Sequence, residues 1–179
     1  MFRCPDLSSY QGSSRAEASS EPAPDLAVIP DVLDPDRYRR SFNVRNEETR
    51  PCLVVEVVSN DPEARHKDHI EKVVIYERAR VPEYLVVDPP YPGIPPHGPM
   101  IGYRLDATGR YQPIEPDAEG RVLSLTTGLW FGLSPEGRTI ELIDAETGER
   151  LLTPEETRAE LTKARAELER LKGSRQGPL

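Results

Sequence analysis

The stretch Leu53-Val54-Val55-Glu56-Val57-Val58-Ser59 decides how the rest of the chain is read. Its β-branched residues show no polar alternation, the pattern of a strand covered on both faces, as in the middle of an α/β sheet. Glu56 interrupts that run, and a carboxylate ionised in such a place is strongly disfavoured unless a cation or a set of donors compensates it. Candidate companions are Asp25, in Pro24-Asp25-Leu26-Ala27-Val28, and then Asp68, Lys72 and Tyr76. The set suggests a divalent-metal site. The alternative is a strand carboxylate paired with Lys72 or an arginine for structure alone.

Working outward, Asn60-Asp61-Pro62 offers a helix start, with Asp as the cap and proline at the first helical position. The helix should run to about Arg80, with Ile70, Val73, Val74 and Ala79 as its apolar face. Asp68, Lys72 and Tyr76 recur every four residues and form a polar stripe beside that face. Val81-Pro82-Glu83 breaks the helix, and Tyr84-Leu85-Val86-Val87-Asp88 reads as a second apolar strand, with Asp88 capping the following turn. Strand, helix and strand in this order form a parallel crossover unit.

On the N-terminal side, Leu26 to Val32 reads as a short strand interrupted by Pro30, with Asp31 in a Pro-Asp setting that competes with Asp25. Asp34 to Arg50 reads as a loop or irregular hairpin. Residues 1–23, rich in Ser, Glu, Ala and Pro without periodicity, read as a disordered tail.

On the C-terminal side, Ile101–Leu105 and Tyr111–Ile114 flank Asp106-Ala107-Thr108-Gly109-Arg110 as a hairpin. Thr139–Ile143 and Arg150–Leu152 suggest a second, and Leu129, Trp130, Phe131 and Leu133 between them should plug the edge of the core. Thr153-Pro154-Glu155-Glu156 resembles a capped helix start. Leu161, Ala164, Leu168 and Leu171 then follow a three-four spacing typical of a coiled-coil seam, over a helix that should dock locally or pair weakly with another copy. The organisation read is a tail (1–23), one domain (24–152), an amphipathic helix (153–172) and a second disordered tail (173–179).

The 179 residues, 36% hydrophobic and 30% charged with 19 prolines, suit one modest domain with flexible ends. No apolar stretch is long enough to span a bilayer and the N-terminus has no continuous apolar segment of a secretory signal, so the reading is cytoplasmic. Cys4 and Cys52 fit free thiols. A formal charge of -8 argues against nucleic-acid binding through bulk positive charge, but a metal-dependent nuclease needs only local cations. Two clusters qualify: Arg37, Arg39, Arg40 and Arg45, and Arg65, His66, Lys67 and His69. His66, His69 and His97 make no zinc pattern.

Phosphodiester hydrolysis needs a nucleophilic water and relief of phosphate charge, which hard cations held by carboxylates supply and a neighbouring lysine assists. Pro24-Asp25, the Glu56 strand, Asp68 with Lys72 and Tyr76, and Val81-Pro82-Glu83-Tyr84 running into Val86-Val87-Asp88-Pro89 together resemble the Uma-two restriction endonuclease family of the PD-(D/E)XK nuclease superfamily. The resemblance runs from about Pro24 to Leu152. It implies an α/β fold, a restriction-endonuclease-like mixed β-sheet flanked by helices, followed by C-terminal β-hairpins and a C-terminal helix. It implies Asp25 and Glu56 as Mg²⁺ ligands (Mn²⁺ as substitute), the Val57 carbonyl as a third, and DNA as substrate of a homodimer that brings two sites to two strands. The superfamily's usual lysine stands two residues after the glutamate, where this chain has Val58, so the resemblance hands that role to Lys72; Asp68 would hold Lys72 or bind a second cation, and Tyr76 would hydrogen-bond within the site.

Three departures accompany the resemblance. The family's further segment before the Pro-Asp strand has no recognisable match in residues 1–23, neither at Glu17 nor at Glu21, which suggests a truncated or misstarted copy and, as an alternative function, a silent remnant binding DNA or protein. Arg80 stands where the family has glycine and Leu85 where it has tryptophan, both read as packing changes.

Overall fold

The computed structural model describes residues 23–44, 49–91 and 99–174. Of the tails expected at 1–23 and 173–179, residues 1–22 and 175–179 lie outside the described residues, as do Arg45 and His97. The first sheet holds β1 (Leu26–Val28), β2 (Leu53–Val57), β3 (Glu83–Val87), β4 (Met100–Leu105) and β5 (Tyr111–Ile114) in that spatial order. β2 and β3 are parallel, with Val55 opposite Leu85 and Glu56 opposite Val86, and the remaining neighbours are antiparallel. The mixed sheet expected from the sequence is present. Its two parallel strands are the two apolar runs, because only strands covered on both sides bury every residue along such a run. β3 is buried throughout, and Leu53 to Glu56 of β2 are at most 2% exposed.

The crossover between β2 and β3 is helical but irregular: α1 (Pro62–His66), a π-helical turn (Lys67–Glu71) and α2 (Lys72–Arg78). Asp61 caps it as expected, its side chain accepting from the Ala64 amide at 2.8 Å, with Pro62 following. The apolar face expected on this helix is corrected. Val73 packs against the core as expected, but Ile70 and Val74 are 55% and 43% exposed and Ala79 faces solvent, while Arg65, Asp68 and Tyr76 are buried. The wide π turn lets Arg65, Asp68, Lys72 and Tyr76 share the inward face. The reason is electrostatic. Two buried carboxylates, Glu56 and Asp88, face this helix, and leaving either without its cation would cost about 3–5 kcal/mol, more than the ~2 kcal/mol for exposing one aliphatic side chain.

A second sheet, β6 (Val122–Ser124), β7 (Leu129–Leu133) and β8 (Ile140–Asp144), covers the other face of the first. Here the structure differs from the sequence reading: Leu129 to Leu133 form a central strand, β6 is an additional strand, and the second hairpin closes through a single bridge between Ile143 and Arg150. One core lies between the sheets around Leu53, Val55, Leu85, Val87, Val122 and Phe131. The other, between sheet and helix, contains Val54, Val58, Tyr76, Tyr84 and Val86. Odd and even positions of β2 thus serve different cores, which places Glu56 on the helix side. Gly102 lets the sheets approach, since a Cβ there would lie 2.6 Å from Val122 Cγ1.

The β4–β5 hairpin forms as expected, with Asp106 accepting from the Thr108 and Arg110 amides. Leu85 packs within the inter-sheet core, in keeping with a packing change. Arg80 is a backbone matter instead: its φ of 58° is the left-handed conformation that favours glycine, costing a non-glycine residue roughly 1 kcal/mol. The last helix, α3 (Pro154–Ser174), starts in a capping box, Thr153 Oγ1 accepting from the Glu156 amide at 3.2 Å and Glu156 from the Thr153 amide at 2.8 Å. Among the described residues the helix does not dock locally. Every residue from Thr157 to Lys172 is exposed.

Candidate active site

Asp25 immediately precedes β1 and so lies beside the end of β2. The two chain segments grip each other there: the Val57 amide donates to Asp25 Oδ2 at 2.7 Å, and the Asp25 amide donates to Glu56 Oε2 at 3.3 Å. Asp25 is exposed and Glu56 is 1% exposed, so one carboxylate faces solvent and the other is enclosed in the core. Asp31 does not compete. It is exposed, with a φ of 55°.

From the helix side, Lys72 Nζ lies 2.9 Å from Glu56 Oε1 and 2.7 Å from Asp68 Oδ1. The Tyr76 hydroxyl donates to the same Glu56 oxygen at 2.8 Å. The structure therefore brings Asp25, Glu56, Asp68, Lys72 and Tyr76 together, although only the helical spacing of the last three was local in sequence. Tyr84 supports the floor, its hydroxyl donating to the Asp68 carbonyl at 2.8 Å and its ring packing on Tyr76 with centroids 4.9 Å apart.

Burial pushes the Glu56 carboxyl up from its usual value, and the bonds from Lys72 and Tyr76 only partly offset it. Burial would pull the Lys72 ammonium down, but its hydrogen bonds to Asp68 and Glu56, and their charges, outweigh that and hold it up. The asymmetry has a plain cause: one ammonium divides its charge between two carboxylates, so Lys72 is well stabilised while the more deeply buried Glu56 is under-compensated. Burial and the neighbouring Glu56 raise the Tyr76 hydroxyl, which stays a proton donor to Glu56.

Among the described residues, no group of three or more His, Cys, Asp or Glu side chains is arranged to hold a metal ion. A smaller hard-oxygen set still suits Mg²⁺, which takes one or two carboxylates and completes its shell with water or phosphate oxygens. Asp25 and Glu56 could supply that set: Asp25 opens to solvent, and among the described residues Glu56 Oε2 carries only the long 3.3 Å contact. An under-compensated buried carboxylate is also what a cation would stabilise.

One expectation about nearby charges is corrected. Arg65, grouped with phosphate-contacting cations, is buried and donates twice to Asp88, at 2.8 and 2.9 Å. Asp88 is fully buried, with His69 Nε2 3.3 Å from it as well. This pair ties the start of the crossover to the end of β3. An open groove beside it is lined by Asn60, Pro62, Arg65, His66, His69 and Tyr103 and does not include Asp25, Glu56 or Lys72. Glu83 was overlooked as a buried acid: it is 0% exposed, on the other face of the sheet, bonded to Arg104, Ser124, Leu125 and Thr126. Its only signal was an acid next to the apolar run.

The family model described as Uma2, Putative restriction endonuclease, matches residues 4–146. The chain belongs to that family, and with it to the PD-(D/E)XK nuclease superfamily. The match begins well before Pro24, so the stretch read as unmatched lies largely within the family's span. No curated protein and no solved structure matches the chain. Among the described residues no helix is long and apolar enough to cross a membrane.

Proposed function

We propose that the protein is a Mg²⁺-dependent DNA endonuclease in which Asp25 and Glu56 hold the cation and Lys72 acts on the attacking water or the scissile phosphate. The observation that carries this reading is the Lys72 ammonium, 2.9 Å from Glu56, on a helix packed over the strand ends that bring Asp25 to Glu56. Membership in a family of restriction endonucleases supplies the reaction class.

When bound, the metal would supply charge relief at the phosphate and a more acidic water. Glu56 and Asp25 would provide oxygen ligands, with the Val57 carbonyl as a third. Lys72, fixed between two carboxylates, would keep its proton at rest and present a positive charge where phosphate charge builds during attack. Asp68 positions that ammonium from one helical turn away, and Tyr76 fixes the Glu56 rotamer by donating to it. A homodimer would deliver one such site to each DNA strand.

Purified protein should convert supercoiled DNA to nicked or linear forms with Mg²⁺ or Mn²⁺, and Glu56→Ala or Lys72→Ala should each lower the rate at least ~100-fold. The same cations should raise the melting temperature of the wild type and leave that of Glu56→Ala unchanged. Cleavage persisting in both variants, or a wild type inert to both cations, overturns the assignment.

A further inference from the structure

The seam on α3 is an apolar stripe that stays about half exposed. Leu161, Leu168 and Leu171 are 49%, 55% and 50% exposed, and Ala164 lies on the same line. With Leu161 at heptad position a, Ala164 falls at d, Leu168 at a and Leu171 at d. The flanking positions are all charged: Glu160 and Glu167 stand at g, Arg165 and Lys172 at e. The apolar stripe is therefore narrow, the width of one partner helix rather than of a protein core.

Those flanking charges select the partner. In a parallel two-stranded coil each g residue meets the e residue of the following heptad on the other chain. Two copies of α3 would then place Glu160 against Arg165 and Glu167 against Lys172, on both sides of the seam. An antiparallel pair would set Glu against Glu and base against base. We infer that α3 is a self-association helix whose occupant is the same helix of a second copy, parallel and in register, through Leu161, Ala164, Leu168 and Leu171.

The base of the helix is prepared for such a role. The capping box at Thr153 fixes where it begins, and Glu156 also takes two bonds from Arg150, at 2.7 and 3.0 Å, which anchors it to the residue bridged to β8. Parallel pairing would thus bring both folded domains to the same end of the coil. Within one chain Glu160 bonds Lys163 and Glu167 bonds Arg170, but exposed pairs of that kind contribute little and leave the carboxylates able to face a partner. The inference concerns assembly alone and does not depend on the nuclease reading.

The test uses the full chain with Cys4→Ser as background. Leu161→Cys should give a covalent dimer under oxidised glutathione, because parallel pairing sets position 161 beside its own copy. An antiparallel pair would put it opposite position 171 and yield no such product. Two charge-reversed chains, E160K/E167K and R165E/K172E, should each sediment as monomers alone and at twice the monomer mass when mixed. A wild type that stays monomeric at every concentration, a missing Leu161→Cys product, or reversed chains that remain dimeric alone would each overturn the inference.

Discussion

Glu56 and Glu83 sit in adjacent strands of one sheet, withdrawn from water to the same degree, yet on opposite faces and in opposite electrostatic states. Burial acts to raise both carboxyls. For Glu83 the donors of Ser124, Thr126, Arg104 and Leu125 outweigh burial and bring the carboxyl below its ordinary 4.5. For Glu56 burial prevails, because Lys72 is divided with Asp68 and the remaining donors are Tyr76 and a long amide contact. A carboxylate surrounded by fixed donors holds a structure together: Glu83 fastens the β6–β7 turn of the second sheet to the first. A carboxylate left short of donors, as Glu56 is, is what the proposed cation would stabilise.

The sharpest way to break this contrast is Glu83→Ala. It would strand a guanidinium, two hydroxyls and two amides, and should lower unfolding free energy by about 3–5 kcal/mol in urea titrations; a loss under ~1 kcal/mol would show that Glu83 is not a fastener. Lys72→Met removes the cation that serves two buried acids and should cost about 2–4 kcal/mol, part of which Glu56→Gln in the same chain should restore in a double-mutant cycle. If the cycle shows no coupling, the two side chains do not share the charge described.

Acid sharpens the same comparison with a smaller effect. A folded carboxyl lowered beneath 4.5 contributes stability at neutral pH that persists down to that value and disappears as pH falls through the folded-state value. The stability gap between wild type and Glu83→Gln should therefore hold steady from neutral pH to about 4.5 and close only below it, as followed by urea midpoints across pH. The smallest expected change is Glu56→Gln alone, within about 1 kcal/mol of wild type, because the ionised form it replaces is already disfavoured by burial. A large destabilisation there would make Glu56 a second Glu83 and remove the argument for a cation.

The sequence carried the local part of this arrangement. Uniform β-branching announced β2 and β3, Asp61-Pro62 announced the crossover, and Thr153 to Glu156 announced α3, each because the cause lies within a few residues of the effect. The apolar face of the crossover was misread because Ile70 and Val74 keep helical spacing, whereas the force that turned them outward comes from Glu56 and Asp88 on the sheet. β6 is three residues long and exists through its pairing with β7, so it left no periodic trace.

What the sequence determined on its own is that an acid stands inside a buried strand, that a lysine, an acid and a tyrosine share one stripe of the next helix, and that a charged-edged apolar seam ends the chain. Tertiary structure decided which acids those groups meet. Glu83 takes its donors from residues 21 to 43 positions further on, and Asp25 reaches Val57 across 32. Such pairings follow from strand register and layer stacking, and the electrostatics of a buried charge depend on every group brought near it, whichever part of the chain supplies them.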